Sequence, residues 1–226
     1  MFSYGVKPKV IKVVRLGVEL KYFEQLEPNH KLRREFNISS DAPLIGLVGR
    51  LVPWKGHKTF LEALAKVKKE VPEIKTLIAG DAILNDNNPE GYKKELFRLT
   101  EDLCLKNNVI FAGFRTDMPE FMQEIDILVH ASYKEPFGMV IVEAMAAGKP
   151  VVASRVSGPL EIVKEGETGL LVEPQDANEL AKSILYLIKN QNLAKLMGQK
   201  GRERVKKLFD LEKNISEIDR YCEVLM

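Results

Sequence analysis

From residue 44 onward the chain repeats one pattern: a short continuous apolar run, a glycine, then a longer segment whose apolar positions recur every three or four residues. Leu44 to Val48 is such a run and ends in Gly49-Arg50; Phe60, Leu61, Leu64, Val67 and Val71 follow at helical spacing before Pro72. Continuous runs of Val, Ile and Leu read as strands covered on both faces, and the wider spacing reads as a helix with one apolar face. The pair recurs, with strands at 74–79, 109–112, 125–130, 151–154 and 168–172. The intervening helices are marked by Tyr92, Leu96, Leu99 and Leu103, by Asp117 as an N-cap before Met118-Pro119, and by 138–147. This alternation predicts an α/β fold: a Rossmann-like, doubly wound parallel sheet of about six strands with right-handed crossovers.

The flanks depart from the repeat. Residues 9–14 are strand-like and lead through Gly17 into 18–23, a piece too short to bury itself. Pro28 precedes a basic helical segment at 30–36. At the other end Asp176 and Glu179 form a capping-box variant ahead of Leu180, Ile184, Leu187 and Ile188, and another helix is expected over 193–208. Leu208, Leu211, Ile215, Ile218, Cys222 and Leu225 then make an apolar stripe too short for a coiled coil, which reads as a helix packing on a sheet or a neighbouring domain.

Composition narrows the function classes. The chain has 226 residues, 45% hydrophobic and 29% charged, with a formal net charge of +2. That is the profile of a soluble globular domain, without the basic field that nucleic acid requires. Lys66, Lys68 and Lys69, like Arg202, Arg204, Lys206 and Lys207, read as solvated helix faces. Cys104 and Cys222 lack a CxxC partner or a histidine at ligand spacing, so the pattern does not point to zinc and each reads as a free, buried thiol. No apolar run approaches the ~20 residues of a membrane span. The N-terminal residues lack a signal-peptide pattern, and a cytoplasmic location is expected.

Open parallel sheets bind ligands beyond the carboxyl ends of their strands. This singles out residues 50–56, 80–81, 113–116, 130–138 and 154–158. The first loop carries Arg50 and Lys55, a bidentate donor and a point charge that either hold a dianion or lie solvated. The spacings G-x4-G-K-[ST] and G-x-G-x-x-G are both absent. In the fourth loop Pro136 keeps Glu135 out of the helix, and Glu143 follows eight residues on, in the second turn of a helix starting near Gly138. That helix start offers free N–H groups and a positive dipole end to a phosphate. A carboxylate accepts two hydrogen bonds from a vicinal diol, as in a ribose or a pyranose. Residues 140–147 are almost wholly apolar around Glu143, so this carboxylate is expected to be buried and to need a partner. Together these groups match a ligand of the form sugar–diphosphate–ribose–base. Two histidines stay open. His57 lies in the phosphate loop or caps the helix, and His130 touches a donor hydroxyl or serves the structure.

At these residues the sequence resembles the C-terminal domain of retaining GT-B-fold glycosyltransferases of the glycosyltransferase group 1 family. The resemblance rests on Gly49-Arg50-Leu51 through Lys55-Gly56-His57, on the Glu-x7-Glu spacing of Glu135 and Glu143 with its Glu-Pro-Phe-Gly opening, and on Gly148-Lys149-Pro150-Val151-Val152-Ala153 with Gly158 and Glu161-Ile162-Val163. It implies that Arg50 and Lys55 hold the donor diphosphate, Glu135 meets the reacting face of the sugar as the catalytic carboxylate, and Glu143 binds the ribose hydroxyls. The backbone at Phe137, Gly138 and Met139 would meet sugar and phosphate, and that at Phe114 and Arg115 the base edge. The donor would be a nucleoside-diphosphate sugar such as a UDP- or GDP-hexose, with no cofactor and no metal. The implied reaction is hexose transfer with retention to a glycan, lipid or small-molecule acceptor.

Enzymes of this family have two such domains with the acceptor between them. The resemblance therefore divides the chain into 1–27, a linker and remnant strand of an N-terminal domain; 28–207, the nucleotide-sugar-binding domain; and 208–226, a helix expected to dock on the N-terminal domain. The implied partners are the donor and that acceptor-binding domain, through which a peripheral membrane contact would come, and no nucleic acid. A chain with this content is expected to be a donor-binding half, inactive alone. Two other readings stand beside it: a nucleotide-sugar 2-epimerase-like GT-B enzyme, against which the Glu-Pro-Phe-Gly opening speaks, and a non-catalytic subunit pairing with a separate N-terminal-domain chain.

Overall fold

The computed structural model describes residues 13–24, 29–82 and 89–225. Most of the strand-like run at 9–14, Pro28 and the polar loop at 85–88 lie outside these residues. Six strands form one sheet: β1 (Leu44–Val48), β2 (Lys75–Ala79), β3 (Val109–Gly113), β4 (Ile127–His130), β5 (Val151–Ser154) and β6 (Gly169–Val172). Their order is β3-β2-β1-β4-β5-β6, and every pairing is parallel. The doubly wound sheet expected from the alternation is thus observed. The order reverses direction between β1 and β4, so the loops after these two strands diverge and leave a crevice, the usual ligand position in such sheets.

Among the described residues the helices are α1 (Lys21–Glu24), α2 (Lys31–Glu35), α3 (His57–Glu70), α4 (Pro89–Asp102), α5 (Met118–Glu124), α6 (Met139–Ala146), α7 (Ser157–Ile162), α8 (Ala177–Lys189), α9 (Gln191–Leu208) and α10 (Leu211–Leu225), with one 3-10 turn at Pro53–Lys55. Alternate strand residues face opposite ways, and two apolar layers result. Ile45, Leu47, Ile78 and Val129 meet Phe60, Leu64, Val67, Leu180 and Ile184 of α3 and α8. Leu44, Leu77 and Leu128 meet Phe121, Ile141, Met145 and Val205 of α5, α6 and α9. Each fully buried Leu, Ile or Phe contributes about 1.5–3 kcal/mol. Gly46 lets α5 approach the sheet, since a Cβ there would lie 2.7 Å from Ile125 Cδ1 and 2.9 Å from Phe121 Cε1.

Val18 N–H donates to Phe209 O at 2.9 Å, and Leu211 N–H donates to Val18 O at 3.1 Å, tying the chain around Val18 to the α9–α10 junction. Beyond that junction Ile215 and Ile218 of α10 are 48% and 45% exposed. The capping box forms at α8: Asp176 Oδ1 accepts from Asn178 N–H and Glu179 N–H. Glu179 turns to the N–H of Glu173 instead of the cap residue.

Three expectations need correction. Cys104 and Cys222 are free but exposed. Cys104 lies in a left-handed turn just past α4, with φ 57°, which takes its side chain off the buried stripe. Asp117 occupies the N-cap position of α5, yet its carboxylate caps nothing. A charged donor outcompetes a backbone N–H, and Arg115 takes both oxygens, at 2.8 and 2.7 Å. Arg204 is not a solvated cation, because it donates to Ile162 O at 2.7 Å and Glu161 O at 2.8 Å.

Candidate functional site at the sheet switch point

The loops after β1 and β4 are bound to each other through their backbones. Tyr133 N–H donates to Trp54 O at 3.0 Å. Gly56 has φ 74°, and a Cβ there would meet Ala131 O at 2.0 Å. Only glycine combines that backbone with that closeness. The glycine of the Lys-Gly-His segment is therefore what lets the β1 loop lie against the β4 loop and bring their side chains together.

The result is a three-residue cluster. Lys55 Nζ donates to Glu135 Oε2 at 2.5 Å, and His130 Nε2 lies 3.1 Å from the same oxygen. The Glu135 side chain is 11% exposed and the Lys55 side chain 19%. The hydrogen bond from His130 lowers the Glu135 pKa; burial opposes it and the Lys55 bond adds to it, and the carboxyl comes to about 2. Glu135 is thus a fixed carboxylate at neutral pH. Its backbone is held as well, since Gly158 N–H donates to Glu135 O at 3.0 Å. The Lys55 stem crosses Gly49, whose missing side chain leaves the space.

Arg50 is exposed and stands over the Trp54 ring, with its guanidinium carbon 5.8 Å from the ring centroid. Two cations therefore leave the β1 loop in different ways: Lys55 is paired, and Arg50 rests on an aromatic face. The α6 helix begins at Met139 behind Gly138, which has φ 106°, and no side chain caps it or puts a negative charge in its first turn. Phe137 and Met139 flank that start, both half-buried.

Beside this helix start a cavity of about 770 Å³ opens between the ends of β1, β2 and β3. Arg50, Phe114, Arg115 and Glu143 line it together with Gly80 and Asp81. Glu143 is half-buried amid fully buried Ile141, Val142, Ala144 and Met145. Among the described residues its carboxylate makes no side-chain hydrogen bond or ion pair, contrary to the partner expected of it, and burial raises its pKa. It is kept above full burial by the cavity itself. Phe114 stands at the rim, 79% exposed. The Arg115 guanidinium is committed to Asp117 and to Glu35, the latter at 2.8 and 3.1 Å.

All nine residues singled out from the sequence thus fall in two adjoining places: Lys55, Glu135, Phe137, Gly138 and Met139 around the helix start, and Arg50, Phe114, Arg115 and Glu143 around the cavity. Asp81, flagged with Gly80 by its place directly after β2 but assigned no role, also lines the cavity and pairs with Lys93 at 2.7 Å. Met118 and Val140 line the same cavity, and as apolar helix residues they carry no signal of their own. His57 neither caps α3 nor faces the site. Its ring is fully buried with both nitrogens unpartnered, and desolvation pulls its pKa to about 4; the carbonyls of Val52 and Gly49 oppose that shift without completing a hydrogen bond. Among the described residues no cluster of three or more His, Cys, Asp or Glu side chains is arranged to hold a metal ion, and no helix is long and apolar enough to cross a membrane.

Fold and site together define a Rossmann-like domain with a largely apolar cavity beside its switch point, edged by Arg50, Asp81 and Glu143. The chain belongs to the family of glycosyl transferases group 1, whose model matches residues 28–204. A trehalose synthase of Pyrococcus horikoshii is 34% identical over 223 residues, which cover 96% of this chain and 51% of that protein. A D-inositol 3-phosphate glycosyltransferase of Corynebacterium efficiens is 31% identical, with 90% of this chain and 48% of that protein covered. The chain spans about half the length of the curated relatives it matches. The Anabaena HepE structure in complex with UDP and glucose superimposes with a TM-score of 0.88 at 32% identity, over 97% of this chain and 58% of that one. The C-terminal domain of LpcC, a glycosyl transferase group 1 family protein of Francisella tularensis, superimposes with a TM-score of 0.75 at 31% identity, over 84% of this chain and 97% of that domain.

Proposed function

We propose that this chain is the donor-binding half of a retaining hexosyltransferase and that its ligand is a nucleoside-diphosphate hexose. The observation that carries the reading is Glu143, a half-buried carboxylate without a partner among the described residues, in a cavity that Arg50 also lines and that adjoins a helix start without a side-chain cap. An unpaired carboxylate in such surroundings is costly unless a ligand supplies hydrogen bonds. A ribose diol supplies two. In this reading the diphosphate lies between Arg50, Lys55 and the first N–H groups of α6, which together stabilise the charge on the leaving group as the glycosidic bond breaks. Glu135 faces the reacting side of the sugar, and the backbones of Phe137, Gly138 and Met139 contact sugar and phosphate. The base lies along the backbone of Phe114 and Arg115. UDP in the related HepE structure supports a uridine nucleotide as the first donor to try.

The acceptor, and the groups that hold it, would come from the other half that the longer relatives contain. Transfer by this chain alone should then be very slow, because the proximity of the two reactants is lost. Isothermal titration with UDP, GDP and ADP tests the donor reading. One of them is expected to bind, and Glu143→Ala and Arg50→Ala are each expected to weaken it. Undiminished binding by both variants rejects the assignment, and rapid sugar transfer by the chain alone rejects the division into halves.

A further inference from the structure

Lys55 is a single ammonium with two claims on it. One is Glu135, at 2.5 Å. The other, on the reading above, is a diphosphate, which carries more negative charge than one carboxylate and draws the flexible lysine toward itself. Glu135 then loses part of the pairing that fixes it, at the moment when a sugar needs it in place. Among the described residues the only other donor to its carboxylate is His130.

His130 is well built for that task. It ends β4, a central strand of the sheet, where its register partner on β5 is Ala153. The residue is 3% exposed, so its ring has little room to move. Its Nδ1 is buried, and among the described residues it has no partner, so the Nε2–Glu135 contact is the one hydrogen bond the ring makes there. With the proton on Nε2 the ring donates to the same Oε2 that Lys55 touches. Lysine reaches this oxygen from a loop on a long stem, whereas histidine reaches it from the sheet.

We propose that His130 is the positioning residue that holds Glu135 in place when a diphosphate draws Lys55 away. The pairing gives Glu135 one rigid anchor and one exchangeable one, so that donor binding can use the lysine without releasing the carboxylate. The lowered pKa of Glu135, of which the His130 bond is the first cause, agrees with this division. The proposal rests on the donor-site reading above.

The test is carbon-13 NMR of the Glu135 side-chain carboxyl, titrated with pH in the 226-residue chain with and without inorganic pyrophosphate. The variants are His130→Leu, which removes the donor, and His130→Gln, whose amide nitrogen reaches the position of Nε2. With pyrophosphate bound, the midpoint in His130→Leu is expected to rise by about one to two pH units, and His130→Gln is expected to stay near the parent. If the leucine variant fails to fold, His130→Asn takes its place, because its shorter amide cannot reach Glu135. Equal midpoints in parent and donor-free variant, with pyrophosphate bound in both, overturn the positioning role alone. Absence of any effect of pyrophosphate on Lys55 or Glu135 in the parent overturns the phosphate-loop reading, and this proposal with it.

Discussion

A Cβ on Gly158 would lie 2.0 Å from the carbonyl oxygen of Phe137, so the first turn of α7 is seated directly on the loop that leads into α6. Alanine is the better helix former, and on helix propensity alone Gly158→Ala should stabilise. The steric term decides instead, because the atoms in the way are the backbone carbonyl, carbon and Cα of Phe137. Gly158→Ala is expected to destabilise by about 1–3 kcal/mol, read from urea unfolding. It should also weaken nucleotide binding, since Phe137 and Gly138 must move. A variant as stable as the parent would mean that the two loops are not packed this closely.

The Lys55–Glu135–His130 cluster predicts a direction with pH. Glu135 has a folded pKa of about 2 against an ordinary 4.5. A depressed carboxyl stabilises the fold fully above the unfolded value and loses that contribution as pH falls through the folded one. Glu135→Gln should therefore cost the most at neutral pH, at most about 3 kcal/mol, and the difference from the parent should shrink steadily between pH 5 and pH 2. Chemical unfolding at a series of pH values measures it. A difference that does not change with pH would show that the carboxylate gains nothing from its two donors.

How far the sequence carried these conclusions depended on the kind of signal. Strands β1 to β6 were legible because each is a short continuous apolar run, and burial on both faces forces that composition. Arg50, Lys55 and Glu135 stood out because they lie in loops just past strand ends, and Glu143 because it interrupts an almost wholly apolar helix. What failed concerns competition between neighbours. Asp117 reads as a cap until a guanidinium two residues away takes both of its oxygens. Cys104 continues a helical stripe until the chain turns left-handed at that residue. His130 and Glu135, five residues apart, carry no spacing signal for a hydrogen bond, because that contact depends on how the loop after β4 folds back over the strand end.

Arg115 yields a prediction of a different kind. It faces Glu35 and Asp117 with four hydrogen bonds and stands over the Phe36 ring at 5.6 Å. The side chain thereby ties α2 to the loop after β3, the loop whose backbone is proposed to meet the base. Arg115→Ala leaves two carboxylates facing each other, and a loss of about 1–3 kcal/mol is expected. Arg115→Lys should rescue little of it, since an ammonium cannot fork onto two carboxylates and stack at once. Thermal unfolding of both variants distinguishes a fork from a simple point charge: near-complete rescue by lysine would show that only the charge matters.

Glu143 gives the most direct test, because stability and binding should move in opposite directions. Its half-buried carboxylate has no partner among the described residues, and burial alone raises its pKa. A carboxyl raised in the folded state costs stability above that pKa, and the cost is relieved as pH falls through it. Glu143→Met keeps the volume and removes the charge. It is expected to raise stability at pH 7.5 by about 1 kcal/mol, a modest figure because the group is only partly desolvated. The advantage should narrow as the pH is lowered and the parent carboxyl takes up its proton. Over the same pH range the variant should bind UDP at least about tenfold more weakly, with a larger loss for UDP than for pyrophosphate, because the missing contact is to the ribose. A methionine variant less stable than the parent at pH 7.5 would mean that the carboxylate already has a partner, and the case for a ribose would lose its main support. A variant that is more stable and binds UDP as well as the parent would leave Glu143 without a role in the donor site.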